Sequence, residues 1–182
     1  MKRLLLALLI LLLLVGCQDN KSGKLDTSKL NIIDTAYNEH GEVSFAVYEA
    51  ASIRDGLKSL PFKMTLPRKL PFEAEEFQTV KITDLKNDGE TLVVEFRTNS
   101  KNKDQLIILN IKAYFPSTLT PEPEKAHYQE VELKNGIIGR LYGGGSIFFQ
   151  VNDANIGVSY FNTQISYEQS QKELIEIVNQ ML

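Results

Sequence analysis

Residues 91–115 read TLVVEFRTNSKNKDQLIILNIKAYF, and this stretch decides the fold. Thr91–Thr98 and Gln105–Phe115 are dense in Val, Ile, Leu and aromatic residues, the side chains that suit a pleated, half-buried surface. Lys101-Asn102-Lys103-Asp104 between them is a polar turn. Two strands joined this closely are antiparallel neighbours in a sheet.

Reading outward toward the N-terminus, Glu76–Leu85 alternates through Phe77, Val80, Ile82 and Leu85, and Asn87-Asp88-Gly89 marks a hairpin into Thr91. Residues 61–72 hold Pro61, Pro67 and Pro71, which break regular structure and leave short extended pieces. Before them, Tyr48, Ala51, Ile53 and Leu57 fit helical spacing and predict a helix over 47–58.

Toward the C-terminus, residues 116–125 contain Pro121 and Pro123 and read as a long loop that cannot join a central strand. Then His127–Leu133, Ile137–Tyr142, Ser146–Val151 and Asn155–Phe161 form a meander. Asn135-Gly136 suits a type I′ turn, with Gly143-Gly144-Gly145 and Asn152-Asp153-Ala154 as further breaks. Ser166-Tyr167-Glu168-Gln169 is a capping box, and Leu174, Ile175, Ile177, Val178 and Leu182 give an amphipathic helix over 167–181. The expected class is α+β: an antiparallel β-sheet of roughly six to eight strands, with an N-terminal helix and a C-terminal helix packed on it.

The first residues bear on compartment. Met1-Lys2-Arg3 is a short basic start, and Leu4–Val15 is apolar. As a helix that run spans about 18 Å against about 30 Å of hydrocarbon, which suits a signal-peptide core better than a membrane span. It ends Leu14-Val15-Gly16-Cys17, which resembles the lipobox of bacterial lipoproteins. That resemblance implies cleavage between Gly16 and Cys17 and a diacylglyceryl group on the Cys17 thiol. Cys17 is the one cysteine in the chain, so it has no disulfide partner, and acylation accounts for a lone thiol in an exported protein. The domain organisation expected is a signal peptide over 1–16, a lipidated cysteine with a polar tether over 17–41, and one extracytoplasmic domain over 42–182. Within the tether, Ile32-Ile33 to Tyr37 is compatible with either a short helix or a strand end. Lys, Asn and Ile usage is in keeping with a low-GC Gram-positive host, where the anchor lies in the outer face of the plasma membrane. Cleavage removes Lys2 and Arg3 and moves the formal charge from −3 to −5. A mildly acidic domain argues against nucleic acid and against a polybasic hold on anionic lipid.

The order of the pieces resembles the domain family labelled DUF4367, found in exported proteins and lipoproteins of Bacillus-like bacteria. The resemblance covers residues 45–182. It is carried by the helix leading into Leu60-Pro61-Phe62, by Met64–Pro71 (MTLPRKLP), by the Thr91–Phe115 strand pair, and by Asn155–Phe161 followed by a helix from Tyr167. It implies an extracytoplasmic domain and assigns no catalytic residues.

Candidate chemistry is sparse. His40 and His127 stand apart, whereas a metal site needs several converging ligands. Glu73, Glu75 and Glu76, and Glu122 with Glu124, read as solvated acidic clusters; acid–base work would require environments that drive their pKa values apart. The glycine triplet 143–145 is followed by a strand, not by the helix N-terminus that a phosphate cradle uses, so it reads as a hairpin tip or a place of close backbone approach. Ser170-Gln171-Lys172 lacks nucleophile spacing, and Asp153-Ala154-Asn155 is too short for a calcium loop. No enzyme, metal or cofactor is expected. The remaining signal is aromatic: Tyr114, Phe115, Tyr128, Tyr142, Phe148, Phe149, Tyr160 and Phe161 lie on adjacent strands, mostly as core. Tyr114, Tyr128, Tyr142, Phe148 and Tyr160 are the candidate ligand face, able to hold a peptide, glycan or acyl chain if it opens to solvent. The expected function is a membrane-anchored, non-enzymatic binding or regulatory module of the cell envelope acting with an envelope protein partner. The alternatives are a carrier of a hydrophobic ligand such as a lipid or acyl chain, and an envelope hydrolase using Glu73, Glu75 or His127.

Overall fold

The computed structural model describes residues 23–78, 80–120 and 127–182. These build one antiparallel sheet and two helices: β1 (Leu30–Tyr37), β2 (Val43–Ala50), α1 (Ile53–Ser59), β3 (Lys81–Asp84), β4 (Leu92–Asn99), β5 (Ile107–Phe115), β6 (Tyr128–Glu132), β7 (Ile138–Tyr142), β8 (Ser146–Val151), β9 (Ala154–Asn162) and α2 (Tyr167–Asn179). The α+β class is as expected. The sheet has nine strands in the order β1-β2-β3-β4-β5-β9-β8-β7-β6, one more than the upper expectation. After β5 the chain crosses to the far edge, and β6 to β9 return strand by strand to pair with β5.

The strand pair of residues 91–115 stands at the centre, in the register Leu92↔Phe115 through Asn99↔Ile108. Alternation puts Leu92, Val94, Phe96 and Thr98 on one face with Leu109, Ile111 and Ala113, all fully buried. Each large apolar side chain so buried contributes about 1.5–3 kcal/mol. This core face is covered by α1, by the proline-rich residues 60–78 and by α2. Phe62 stacks on Phe115 at 5.2 Å, and Phe72 on Tyr160 at 6.0 Å. Leu174, Ile177 and Val178 turn inward from α2 at helical spacing. Pro61, Pro67 and Pro71 keep residues 60–72 from pairing as a strand, and a side chain fixes residues 68–69 instead. Gln180 Oε1 accepts from the backbone N–H groups of Arg68 (3.2 Å) and Lys69 (2.9 Å), while its Nε2 donates to Lys69 O (2.8 Å).

Several expectations change. Residues 47–58 are not one helix: Val43–Ala50 is β2, and the helix begins only at Ile53, with the Ser52 hydroxyl accepting from Asp55 N at 3.1 Å. The segment 17–41, expected to be tether, holds an eight-residue strand. β1 pairs with β2 from Leu30↔Ala50 to Tyr37↔Val43, with irregularities at Ile33 and between Ala36 and Tyr37. Order reaches back further still, because Leu25 is buried and its N–H donates to Gly89 O at 2.8 Å. The strand expected over Glu76–Leu85 is regular only over Lys81–Asp84. Upstream of it the chain continues along β4 through single bonds, Glu75 N to Asn99 O and Gln78 N to Arg97 O, both 2.8 Å. The capping box is half present: Ser166 Oγ accepts from Gln169 N at 3.2 Å, but the Gln169 side chain turns forward to Glu173 Oε1 at 3.0 Å.

Turn chemistry follows the sequence closely. Asn135 and Gly136 both have positive φ (63° and 73°), as a type I′ turn requires. The Asn87–Gly89 hairpin is organised by the buried Asp84. Its carboxylate accepts from the N–H groups of Lys86 (3.3 Å), Asp88 (3.1 Å) and Gly89 (2.8 Å).

Candidate binding face

The second face of the sheet carries the side chains that alternate with the core. On β6, β7 and β8 the register pairs Tyr128 with Tyr142, Glu130 with Arg140, and Arg140 with Phe148, so these residues all project to this side. The rings form a row. Tyr128 and Tyr142 have centroids 5.7 Å apart, and Tyr142 meets Phe148 edge-on at 5.6 Å, the geometry that aromatic quadrupoles favour. The Arg140 guanidinium lies 5.3 Å from the centroid of Tyr128, within cation–π range. The row is seated by an absent side chain: Gly157 on β9 opposes Phe148, and a Cβ there would come within 2.6 Å of the ring. Tyr114 on β5 occupies the same face beside Asn155 of β9. Burial, and then the nearby Glu95 carboxylate, push its phenol above the ordinary tyrosine range. Glu95 itself pairs with Lys112 at 3.3 Å.

Four of the five expected ligand-face residues therefore share a face: Tyr114, Tyr128, Tyr142 and Phe148. Tyr160 does not belong with them. It opposes Leu109 in the core register, is 2 % exposed, and its hydroxyl donates to Glu173 Oε2 of α2 at 2.7 Å. Desolvation and that carboxylate raise its pKa well above the usual value. Nor are the eight strand aromatics mostly core. Phe149 and Tyr160 are buried and Phe115 packs against the core, whereas Tyr128 and Phe161 are about half exposed on the opposite face. Arg140 was missed, although its place two residues before Tyr142 in a strand already puts both on one side.

Beside the row, the connection after β5 folds toward this face. Asn155 Nδ2 donates to Ser117 O (2.7 Å) and Leu119 O (3.2 Å). A hollow of about 490 Å³ lies there among Ser117, Glu130, Arg140, Phe148 and Gln150.

The other candidate residues do not converge. His40 sits in the β1–β2 turn, 3.8 Å from Glu39, and His127 precedes β6 at the opposite edge of the sheet. Glu75 pairs with Lys103, whose ammonium holds that carboxyl below the usual range, and Glu73 and Glu76 are exposed. Glu122 and Glu124 lie outside the described residues, as do Gly16 and Cys17. Gly143–Gly145 turn between β7 and β8. Gly145 has φ +75°, and a Cβ there would lie 2.9 Å from Tyr160 O, so close backbone approach is the reason for that glycine. Among the described residues no group of three His, Cys, Asp or Glu could hold a metal ion, and no helix is long and apolar enough to cross a membrane. Comparison with protein-family models, curated proteins and solved structures found no match.

Proposed function

We propose that the chain is a lipoprotein of the cell envelope. In this reading it is anchored through Cys17, and its extracytoplasmic domain is a non-enzymatic binding module that recognises its partner with the outer face of the sheet. The observation that carries this reading is the row Tyr128–Tyr142–Phe148 with Arg140 above it, on the face opposite the one that the helices cover. Rigid aromatic rings and an arginine give large contact area at low entropic cost, and they dominate the energetics of many interfaces. The lone cysteine in a lipobox supplies the compartment and the anchor.

The test is site-specific photocrosslinking in cells. A crosslinking side chain at Tyr142 or Phe148 should give a discrete adduct with an envelope component, and one at the exposed Lys86, in the β3–β4 turn, should not. Adducts no stronger from the aromatic row than from Lys86 would overturn the assignment of the face.

A further inference from the structure

A groove of about 1400 Å³ opens where the described chain begins, between residues 24–29, α1 and residues 63–65. Leu25 and Leu57 contribute to an apolar floor. Lys24, Lys29, Arg54, Lys58 and Lys63 line it, against a single lining carboxylate, Asp26. All five cations are exposed. Two carboxylates approach from outside the lining, Glu90 at 3.0 Å from Lys24 and Asp55 at 3.7 Å from Lys29. The Lys24–Glu90 pair is exposed on both sides and holds its partner weakly. Asp55 also faces Lys58 and Arg54, so one carboxylate is shared among three cations, and Lys63 adds further positive charge to the rim. The chain from Cys17 onward is net acidic, so the rest of it carries an even larger acidic excess.

Position gives this asymmetry its meaning. Lys24 is fixed to the domain, because Leu25 N donates to Gly89 O and Lys24 Nζ donates to Asp88 O at 3.3 Å. Seven Cα-to-Cα steps separate Cys17 from Lys24, and even fully extended they span no more than about 25 Å. An acyl group on Cys17 therefore keeps Lys24, and with it this end of the domain, within about 25 Å of the lipid.

We propose that the basic rim rests on the anionic phospholipid headgroups of the membrane that holds Cys17, setting the domain in a fixed orientation. This builds on the anchor proposed above. Net charge had argued against a polybasic hold on lipid; the cations at 24, 29, 54, 58 and 63 are dispersed in sequence, and folding alone gathers them. Each contributes about fivefold to partitioning while it stays within a Debye length, about 8 Å, of the surface.

The experiment uses the full-length protein, with its anchor, in vesicles of phosphatidylcholine alone or mixed with phosphatidylglycerol. Amide exchange in residues 24–29 and α1 is read by mass spectrometry. Slower exchange on the anionic vesicles only, abolished by high salt and by Arg54→Glu/Lys58→Glu, is the expected result. Both side chains are exposed, so the variant should melt as the wild type does. Equal exchange on the two lipids overturns the proposal. A purified protein that carries no acyl group overturns the anchor instead, and co-sedimentation with the same vesicles then reads the rim directly. Preference for the anionic vesicles would uphold it, and no preference would overturn it.

Discussion

Asp26 and Asp88 show how single side chains fix local turns, Asp26 at the first turn of the described chain and Asp88 in the β3–β4 connection. The Ser28 hydroxyl and the Ser28 N–H (3.0 Å) hold the Asp26 carboxyl below its ordinary range, with a smaller contribution from Lys29. For Asp88, desolvation acts upward but is outweighed by the N–H groups of Glu90 (2.7 Å) and Thr91 (2.8 Å) and by the Thr91 hydroxyl (3.0 Å). A carboxyl whose folded pKa is depressed adds stability above its unfolded value, near 4, and loses it as pH falls through the folded value. Thermal melts should thus show no contribution of these groups to the pH dependence above about pH 5, and a decline below about pH 4. Asp88→Asn keeps an acceptor but cannot titrate, so its acid limb should be shallower; an unchanged limb would contradict this role. Individual residues were unevenly legible. Asn135-Gly136 could be read because only residues tolerant of positive φ suit that turn. The burial of Asp84 could not, since nothing in the sequence separates an aspartate that faces three N–H groups from one that faces water.

At the scale of elements, β4, β5 and β7 to β9 were legible because burial on one face imposes alternation. The second half of β2, residues 47–50, reads as helix in the sequence because Val43–Ala50 carries apolar side chains on both faces, Val47 and Phe45 outward and Ala46, Tyr48 and Ala50 inward. With alternation blurred, the chance spacing of Tyr48 and Ala51 imitates a helix. β1 was obscured because it is an edge strand whose isoleucines, Ile32 and Ile33, lie exposed beside polar neighbours. The short α1 is positioned by close contact. Gly56 is buried, and a Cβ there would lie 2.7 Å from Val80 Cγ2. Gly56→Ala tests which effect wins: alanine favours the helix by up to about 1 kcal/mol, while overpacking against a fully buried side chain costs about 1–3 kcal/mol. Chemical denaturation should show a net loss of up to about 2 kcal/mol, and a stabilised variant would show that Val80 moves aside freely.

At the scale of the whole molecule, one sheet presents two unlike faces. One is closed by α1, α2 and the proline-rich segment clamped by Gln180, and the other displays the aromatic row. Sequence alternation orders side chains within one strand and could not relate Tyr114, Tyr128, Tyr142 and Phe148, which stand on four strands and share a face through the register between them. It could not say that Tyr160 points the other way, because that depends on the register between β5 and β9. The basic rim was invisible for a related reason: it gathers residues from three separate segments. Both proposed surfaces draw their meaning from where the domain is held, so the anchor is the central claim. The most direct measurement is the mass of the N-terminal peptide of the protein purified from membranes. The expected mass is that of a chain that starts at Cys17 and carries a diacylglyceryl group, with Cys17→Ala neither processed nor acylated. An N-terminal peptide with residues 1–16 retained and a free Cys17 thiol would contradict it.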